Sequence, residues 1–323
     1  MVGRANKPTA LASTPGLAPQ PQVSFSDDNS RVTAVLPTGE SIEVLLYGAT
    51  VISWKDKDGT EKLWLSEAAK LDGTKAVRGG IPLVFPVFGT ASDHAQTSKL
   101  PQHGFARTSR WEFLGKSTSE STPASSTAAD LSVKLDFGLS PAALDSDTKS
   151  KWPYVFNMIY SVTLSRDSLT TSLVVNNDDD KPFECQLLLH TYLRVQDISK
   201  VEIKGLSSAT YIDKVNGSSS QQTQSSALTI SGETDRVYTP ATPPTDPVSV
   251  VEGGKTTFTV VRDNLSDVVV WNPWTEKANG LADFAPKEGY KNMLCIEPGS
   301  VVGWQTLEPG EAFEGAQTIT ISN

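Results

Sequence analysis

Apolar and polar residues alternate along most of the chain, and the period is two rather than 3.6. Val32, Ala34 and Leu36 fall on one side of a strand, Pro37-Thr38-Gly39 punctuates, and Ile42, Val44 and Leu46 resume the alternation. That pattern predicts a hairpin. Trp54-Lys55-Asp56-Lys57-Asp58-Gly59 marks a second turn, leading into Leu63, Trp64 and Leu65. Tyr154, Phe156, Met158, Tyr160, Val162 and Leu164 keep period two over residues 154–164. Ser165-Arg166-Asp167-Ser168 then turns the chain into Leu173-Val174-Val175, and residues 176–182 predict a further turn. More strands are expected at 201–203, 228–230, 257–261, 268–271 and 317–321, while only 142–147, after Pro141, hints at a turn of helix. Strands about ten residues apart with turn signals between them predict an all-β chain, a large, mostly antiparallel sandwich. No internal repeat suggests a propeller.

Composition narrows the field. Among 323 residues, Lys and Arg number 28 and Asp and Glu 37, a formal net charge of −9. An acidic chain carries no general electrostatic footprint for nucleic acid. No run of about 18 apolar residues occurs, so no membrane span is expected. Hydrophobic residues make up 38%, enough for one packed core at this length. Residues 1–22 are rich in Pro, Ala, Thr and Gln and read as a disordered tail; residues 23–323 read as a single domain. Prolines 8, 15, 19 and 21 argue against the amphipathic helix of a mitochondrial presequence. Ser/Thr-rich tracts at 117–130 and 216–226 read as solvated loops. Two cysteines, Cys185 and Cys295, form neither a disulfide framework nor a CxxC site. With no secretory signal, they point to a reducing cytosol.

Four groupings carry candidate chemistry. His190 ends the run 183–192, where strand geometry puts Phe183, Cys185, Leu187 and Leu189 on one face. Glu184, Gln186, Leu188, His190, Tyr192 and Arg194 share the other, either a ligand-facing position or a solvated sheet face. Gln102-His103-Gly104-Phe105-Ala106-Arg107 packs polar groups around a glycine, which permits close backbone approach but equally makes an ordinary turn. Arg78-Gly79-Gly80-Ile81-Pro82 fits an anion-facing loop or a glycine turn with a solvated arginine. Glu297 closes an apolar run just before Pro298-Gly299, either an edge glutamate in solvent or a carboxylate held at a sheet rim. In the second case burial raises its pKa, as a general base requires. Trp271, Trp274 and Trp304 lie near it in sequence and are sugar platforms or core. No nucleophile elbow, HExxH, P-loop or dinucleotide fingerprint is present. Asp178-Asp179-Asp180 reads as a solvated turn rather than a Ca²⁺ site.

In order along the chain, Arg78-Gly79-Gly80-Ile81-Pro82, Gln102-His103-Gly104-Phe105-Ala106-Arg107, Leu189-His190-Thr191-Tyr192, Asp235-Arg236-Val237-Tyr238, Val270-Trp271-Asn272-Pro273-Trp274 and Cys295-Ile296-Glu297-Pro298-Gly299 form a set. This set resembles the glucose-6-phosphate 1-epimerases, or hexose-6-phosphate mutarotases, of the aldose 1-epimerase (galactose mutarotase-like) superfamily. The resemblance runs from about Val23 to the C-terminus. It implies a β-supersandwich with its site on a concave sheet face, His190 as catalytic acid, Glu297 as catalytic base, and Arg78, Gln102, Arg107 and Asp235 as substrate-binding positions. His103 lies within the motif and is grouped with them. The implied reaction interconverts the anomers of a hexose 6-phosphate and calls for no metal, nucleotide or redox cofactor. His190 is expected to stay protonated through neighbouring carboxylates, and Arg78 and Arg107 to hold the phosphate. A monomer is the default expectation. Free-sugar epimerisation and non-catalytic sugar-phosphate binding are the rival readings.

Overall fold

The computed structural model describes residues 19–118, 131–215 and 222–322. Within them the alternating segments form three antiparallel sheets. The first is a meander of β1 (Gln22–Phe25), β2 (Arg31–Val35), β3 (Ser41–Leu45) and β4 (Thr50–Lys55). The expected hairpin pairs Val32 with Val44 and Ala34 with Ile42.

A nine-stranded sheet runs, in spatial order, β15 (Leu228–Thr229), β12 (Val201–Lys204), β17 (Val248–Glu252), β18 (Lys255–Asp263), β21 (Ala312–Ile321), β9 (Ser168–Asn177), β8 (Phe156–Ser165), β7 (Ser132–Leu139) and β6 (Glu112–Thr118). An eight-stranded sheet runs β14 (Gln222–Thr223), β13 (Thr210–Asp213), β16 (Thr234–Thr239), β19 (Asp267–Asn272), β20 (Met293–Leu307), β10 (Phe183–Leu189) and β5 (Leu83–Val84), with β11 (Tyr192–Arg194) also on β20. The two large sheets stack, and one core takes the inward residues of both. Met158, Tyr160, Val162 and Leu164 of β8 meet Leu187, Val268, Val270, Leu294 and Ile296 there, joined by Val32, Ala34, Ile42 and Val44 of the meander. The opposite face of the eight-stranded sheet carries a second apolar cluster that includes Leu188, Tyr192, Val237, Val269, Trp271 and Cys295. That second face bears the candidate site.

Several expectations change. Most of the tail 1–22 lies outside the described residues, and Gln22 already belongs to β1. Ser117 and Thr118 are not loop: they pair with Lys134 and Val133. The remainder of that tract, like 216–221, lies outside the described residues. Residues 61–65 form isolated bridges, at Leu63 with Leu193 and Leu65 with Gly79, rather than a strand. The run 183–192 is not one strand. It breaks at His190 and Thr191, where the peptide N–H of Thr191 turns back onto the Leu189 carbonyl at 2.9 Å. A helix absent from the sequence reading, α2 (Trp274–Gly280), follows β19; its seven residues bury only Ala278, too little to print a 3.6 period. The expected turn of helix after Pro141 is real, as a 3-10 turn (Pro141–Ala143) and α1 (Ser146–Lys151), which Asp145 caps by accepting from the Thr148 N–H.

Candidate active site

Four neighbouring strands build the floor of the site by register alone. Asp235 stands opposite Trp271, Trp271 opposite Cys295, and Cys295 opposite Tyr192. One step along, Val269 stands opposite Glu297. Residues directly across a sheet point to the same face, so β16, β19, β20 and β11 together present one surface. His190 reaches it because the chain breaks. β10 pairs with β5 up to Leu189, and β11 then switches to β20. The kink is fixed from below by Thr191, whose buried hydroxyl donates to Gln317 Oε1 at 3.2 Å and accepts from Gln317 Nε2 at 2.8 Å. The His190 ring is clamped parallel to Tyr192, with centroids 4.7 Å apart, and meets Trp271 and His103 edge-on.

Glu297 is 1% exposed, and neither of its carboxylate oxygens has a hydrogen-bond partner. Burial pushes its carboxyl well above the ordinary range; Asp235 adds to the shift and Lys214 opposes it. Its Oε1 lies 3.1 Å from His190 Nδ1, off the line of a hydrogen bond. The shift of His190 runs opposite to the one expected. Burial drives its pKa well down, and the nearby His103, Arg107 and Arg78 push it the same way. Burial thus disfavours the charged form of both groups, the imidazolium and the carboxylate alike.

The loops close the walls. Gly79 and Gly80 sit at φ +120° and +68°, and a Cβ on Gly80 would lie 2.2 Å from the Val51 carbonyl oxygen. That close passage aims Arg78 across the site. Arg78 donates to Asp283 from Nε at 3.3 Å and from Nη2 at 3.2 Å, and to the Tyr192 hydroxyl from Nη1 at 3.3 Å. Its charge is reinforced first by Tyr192 and then, against burial, by Asp283. His103, at φ +66°, accepts from the Gly89 N–H on Nδ1 at 3.1 Å. Burial beside Arg107, Lys214 and Arg78 lowers its pKa to about 2, so it is neutral and carries its proton on Nε2, beside the Gln102 amide at 3.4 Å. Gln186 ties the wall to the floor: it accepts from the Phe88 N–H and donates to the Val301 and Gly303 carbonyls.

The resulting cavity, about 200 Å³, is lined by Arg78, Gln102, His103, His190, Asp235 and Glu297, six of the seven positions singled out in the sequence. Arg107 is the seventh and does not line it. Arg107 lies behind Gln102, whose carbonyl accepts from Nη2 at 2.8 Å, while its buried Nε has no partner. Burial lowers its pKa to about 10. Trp271 lines the cavity, whereas Trp304 stacks on His94 elsewhere, with centroids 3.5 Å apart. Sequence reasoning missed Lys214, Lys277 and Asp283. Lys277 is paired with Glu233 at 3.0 Å; Lys214 makes no ion pair among the described residues and rests over the Phe88 ring. These residues come from a strand end and from in and after the short α2, where no spacing announces them. A larger cavity, about 360 Å³ and near Lys62 and Arg194, gathers no comparable acid and base.

Comparison with known proteins agrees with this architecture. The aldose 1-epimerase family profile matches residues 31–320. A protein of Cenchrus ciliaris named "Putative glucose-6-phosphate 1-epimerase" is 38% identical over 276 residues, covering 84% of this chain and 79% of its own. A protein of the same name from Escherichia coli K12 is 30% identical over 277 residues, 86% of this chain and 85% of its own. Among solved structures, a "putative mutarotase" from Salmonella typhimurium superposes with a TM-score of 0.77 at 26% identity, covering 98% of this chain and 99% of its own. A galactose 1-epimerase from Lactobacillus acidophilus, 15% identical with a TM-score of 0.65 over 94% of this chain and 98% of its own, shares the fold. The profile match over residues 31–320 and the sequence similarity over most of the chain lead to one conclusion: this chain belongs to the aldose 1-epimerase family.

Proposed function

We propose that the chain interconverts the α and β anomers of hexose 6-phosphates, glucose 6-phosphate foremost, with Glu297 and His190 moving the protons. The observation that carries this reading is Glu297 itself, a buried carboxyl group at a cavity floor with no hydrogen bond to either oxygen and an imidazole 3.1 Å away. Ring opening of a hemiacetal removes the proton of O1–H and adds one to ring O5. The step starts from Glu297 as carboxylate and His190 as imidazolium, the arrangement reached when one proton passes from the Glu297 carboxyl to His190 Nδ1. Glu297 then takes the O1 proton and His190 Nε2–H donates to O5. Rotation about C1–C2 exposes the other aldehyde face, and closure with the roles reversed gives the other anomer with both groups restored. Each positioned transfer contributes about 10²–10⁴-fold.

Asp235, Gln102 and neutral His103 supply hydrogen bonds to hydroxyls, with Trp271 beneath the ring. Arg78 and Lys214, both in the cavity lining, hold the phosphate, and Arg107 supports that wall from behind through the Gln102 carbonyl. A free-sugar substrate is favoured by one observation, the prior engagement of Arg78 by Asp283. Lys214, which lines the cavity and makes no ion pair among the described residues, favours the phosphate. We place the protein in a reducing, cytosolic setting as a monomer, in keeping with two buried, unpaired cysteines.

Anomer exchange measured by NMR saturation transfer, on glucose and glucose 6-phosphate in one assay, tests the reading. Exchange of the phosphate ester is expected to be the faster, and Glu297→Gln or His190→Ala to slow it by about 10²–10⁴-fold with the fold intact. Near-normal exchange in either variant overturns the assignment. Lys214→Ala is expected to raise KM for glucose 6-phosphate and leave glucose exchange unmoved; equal effects on both sugars would favour the free-sugar reading.

A further inference from the structure

Cys295 and Glu297 are two residues apart on β20, so their side chains leave the same face of the strand. His190 meets both from the broken end of β10. Its Nδ1 lies 3.1 Å from Glu297 Oε1 and 3.9 Å from Cys295 Sγ. One donor atom from each of the three residues falls within 4.8 Å of the other two. Sugar ring opening has no use for a thiol at this point, yet the sulfur completes a set of imidazole, thiol and carboxylate converging on one spot.

We propose that His190, Cys295 and Glu297 form a binding site for a soft divalent cation, Zn²⁺ in particular, and that its occupation shuts the enzyme. With Zn–N and Zn–O near 2.1 Å and Zn–S near 2.3 Å, a tetrahedral ion sets N and O about 3.4 Å apart and N and S about 3.6 Å apart. The observed 3.1 and 3.9 Å need adjustments of a few tenths of an ångström, and the widest separation in the set, within 4.8 Å, closes by up to about 1.2 Å toward the ideal of about 3.6 Å through rotation of the carboxylate and thiol. The donors are ready in other respects. No N–H or O–H group donates to either Glu297 oxygen, and the thiol that bears on the carboxyl, Cys295, is itself one of the three ligands. Stacking on Tyr192 fixes the plane of the imidazole. His190 and Glu297 line the cavity, from which water or a substrate oxygen completes the shell. A thiolate and an imidazole select Zn²⁺ over Mg²⁺ or Ca²⁺, which prefer all-oxygen cages. On binding, the thiol proton and any proton on the carboxyl pass to solvent as the metal takes their place. The inhibitory half of this proposal rests on the roles given to His190 and Glu297; the binding half does not.

Two measurements on the full chain keep those halves apart. Titration with Co²⁺ should produce a thiolate-to-cobalt charge-transfer band in the near ultraviolet. The band is lost in Cys295→Ser, retained in Cys185→Ser, which removes the other buried thiol, and altered in His190→Ala. No band, or an unchanged band in Cys295→Ser, overturns the site whether or not sugar is turned over. In the exchange assay Zn²⁺ should inhibit, Mg²⁺ should not, and a chelator should restore activity. Measured against its own metal-free rate, Cys295→Ser should require on the order of 100-fold more Zn²⁺ for half inhibition. Equal sensitivity of Cys295→Ser and wild type overturns the inhibitory role.

Discussion

Burial disfavours the charged forms of His103 and Glu297 alike, yet the two contribute to stability with opposite dependence on pH. A histidine depressed from 6.5 to about 2 stays neutral in the fold while the unfolded chain takes up a proton below 6.5. Its contribution to stability is therefore whole above pH 6.5 and is lost as pH falls toward 2, at about 1.4 kcal/mol per pH unit. His190 has the same sign. Glu297, raised above its ordinary 4.5, favours the fold below that pH and loses its contribution as pH rises. His103→Asn separates the first effect. Asparagine tolerates the positive φ of this position and does not titrate. Chemical denaturation at pH 6 and pH 5 is expected to show wild type losing about 1.4 kcal/mol more than the variant over that interval. Parallel losses in both proteins would show that His103 is charged in the fold.

At the level of elements, the walls of the site depend on backbone passing within contact distance of backbone. Gly80 and Gly104 both sit at φ +68°, and a Cβ on either would stand 2.2 Å from the Val51 oxygen or 2.0 Å from the Phe85 oxygen. Gly59, in the β4 turn, also has positive φ, +80°, but nothing within 4 Å. The comparison separates strain from collision. Gly59→Ala should cost about 1–2 kcal/mol, the left-handed penalty alone. Gly80→Ala and Gly104→Ala should cost about 1–3 kcal/mol more, because main-chain atoms cannot rotate away. They should also lower exchange, since Arg78 and His103 are carried by the displaced loops. Denaturant midpoints and exchange rates on the three variants check this; equal costs would mean the loops are free to move apart. Both glycines stand out in the sequence, but as turn signals. The carbonyl each one abuts is set by pairing across 20 to 30 residues, which local pattern does not encode.

Across the whole molecule, legibility follows periodicity. The alternation at 154–164 became β8 because every second residue enters a core closed on both sides. His190 and Glu297 were readable because each ends an apolar run, where a polar residue is out of pattern. Asp283, Lys214 and Lys277 were not, since they lie in loops, at a strand end and on a two-turn helix whose positions are fixed only when distant segments pack. The break at Thr191 depends on a buried partner, Gln317, contributed by β21 of the opposing sheet. Net charge has the same limitation. The value of −9 describes a surface, whereas Arg78, Lys214 and Lys277 line the cavity with Arg107 behind them. At 0.1 M salt the Debye length is about 10 Å, so distant carboxylates scarcely act on an arriving phosphate, and the nearby cations act only once it has arrived. The repulsive background and the local attraction weaken together as salt increases, and electrostatic steering that accelerates encounter 10–10³-fold elsewhere has no counterpart here. Between 0.01 and 0.3 M salt, kcat/KM for glucose 6-phosphate is thus expected to change by less than about tenfold, and glucose exchange not at all. A steep fall for the phosphate ester would reveal a long-range positive field that the cavity cations alone do not produce, and would shift the origin of specificity from contact geometry to capture.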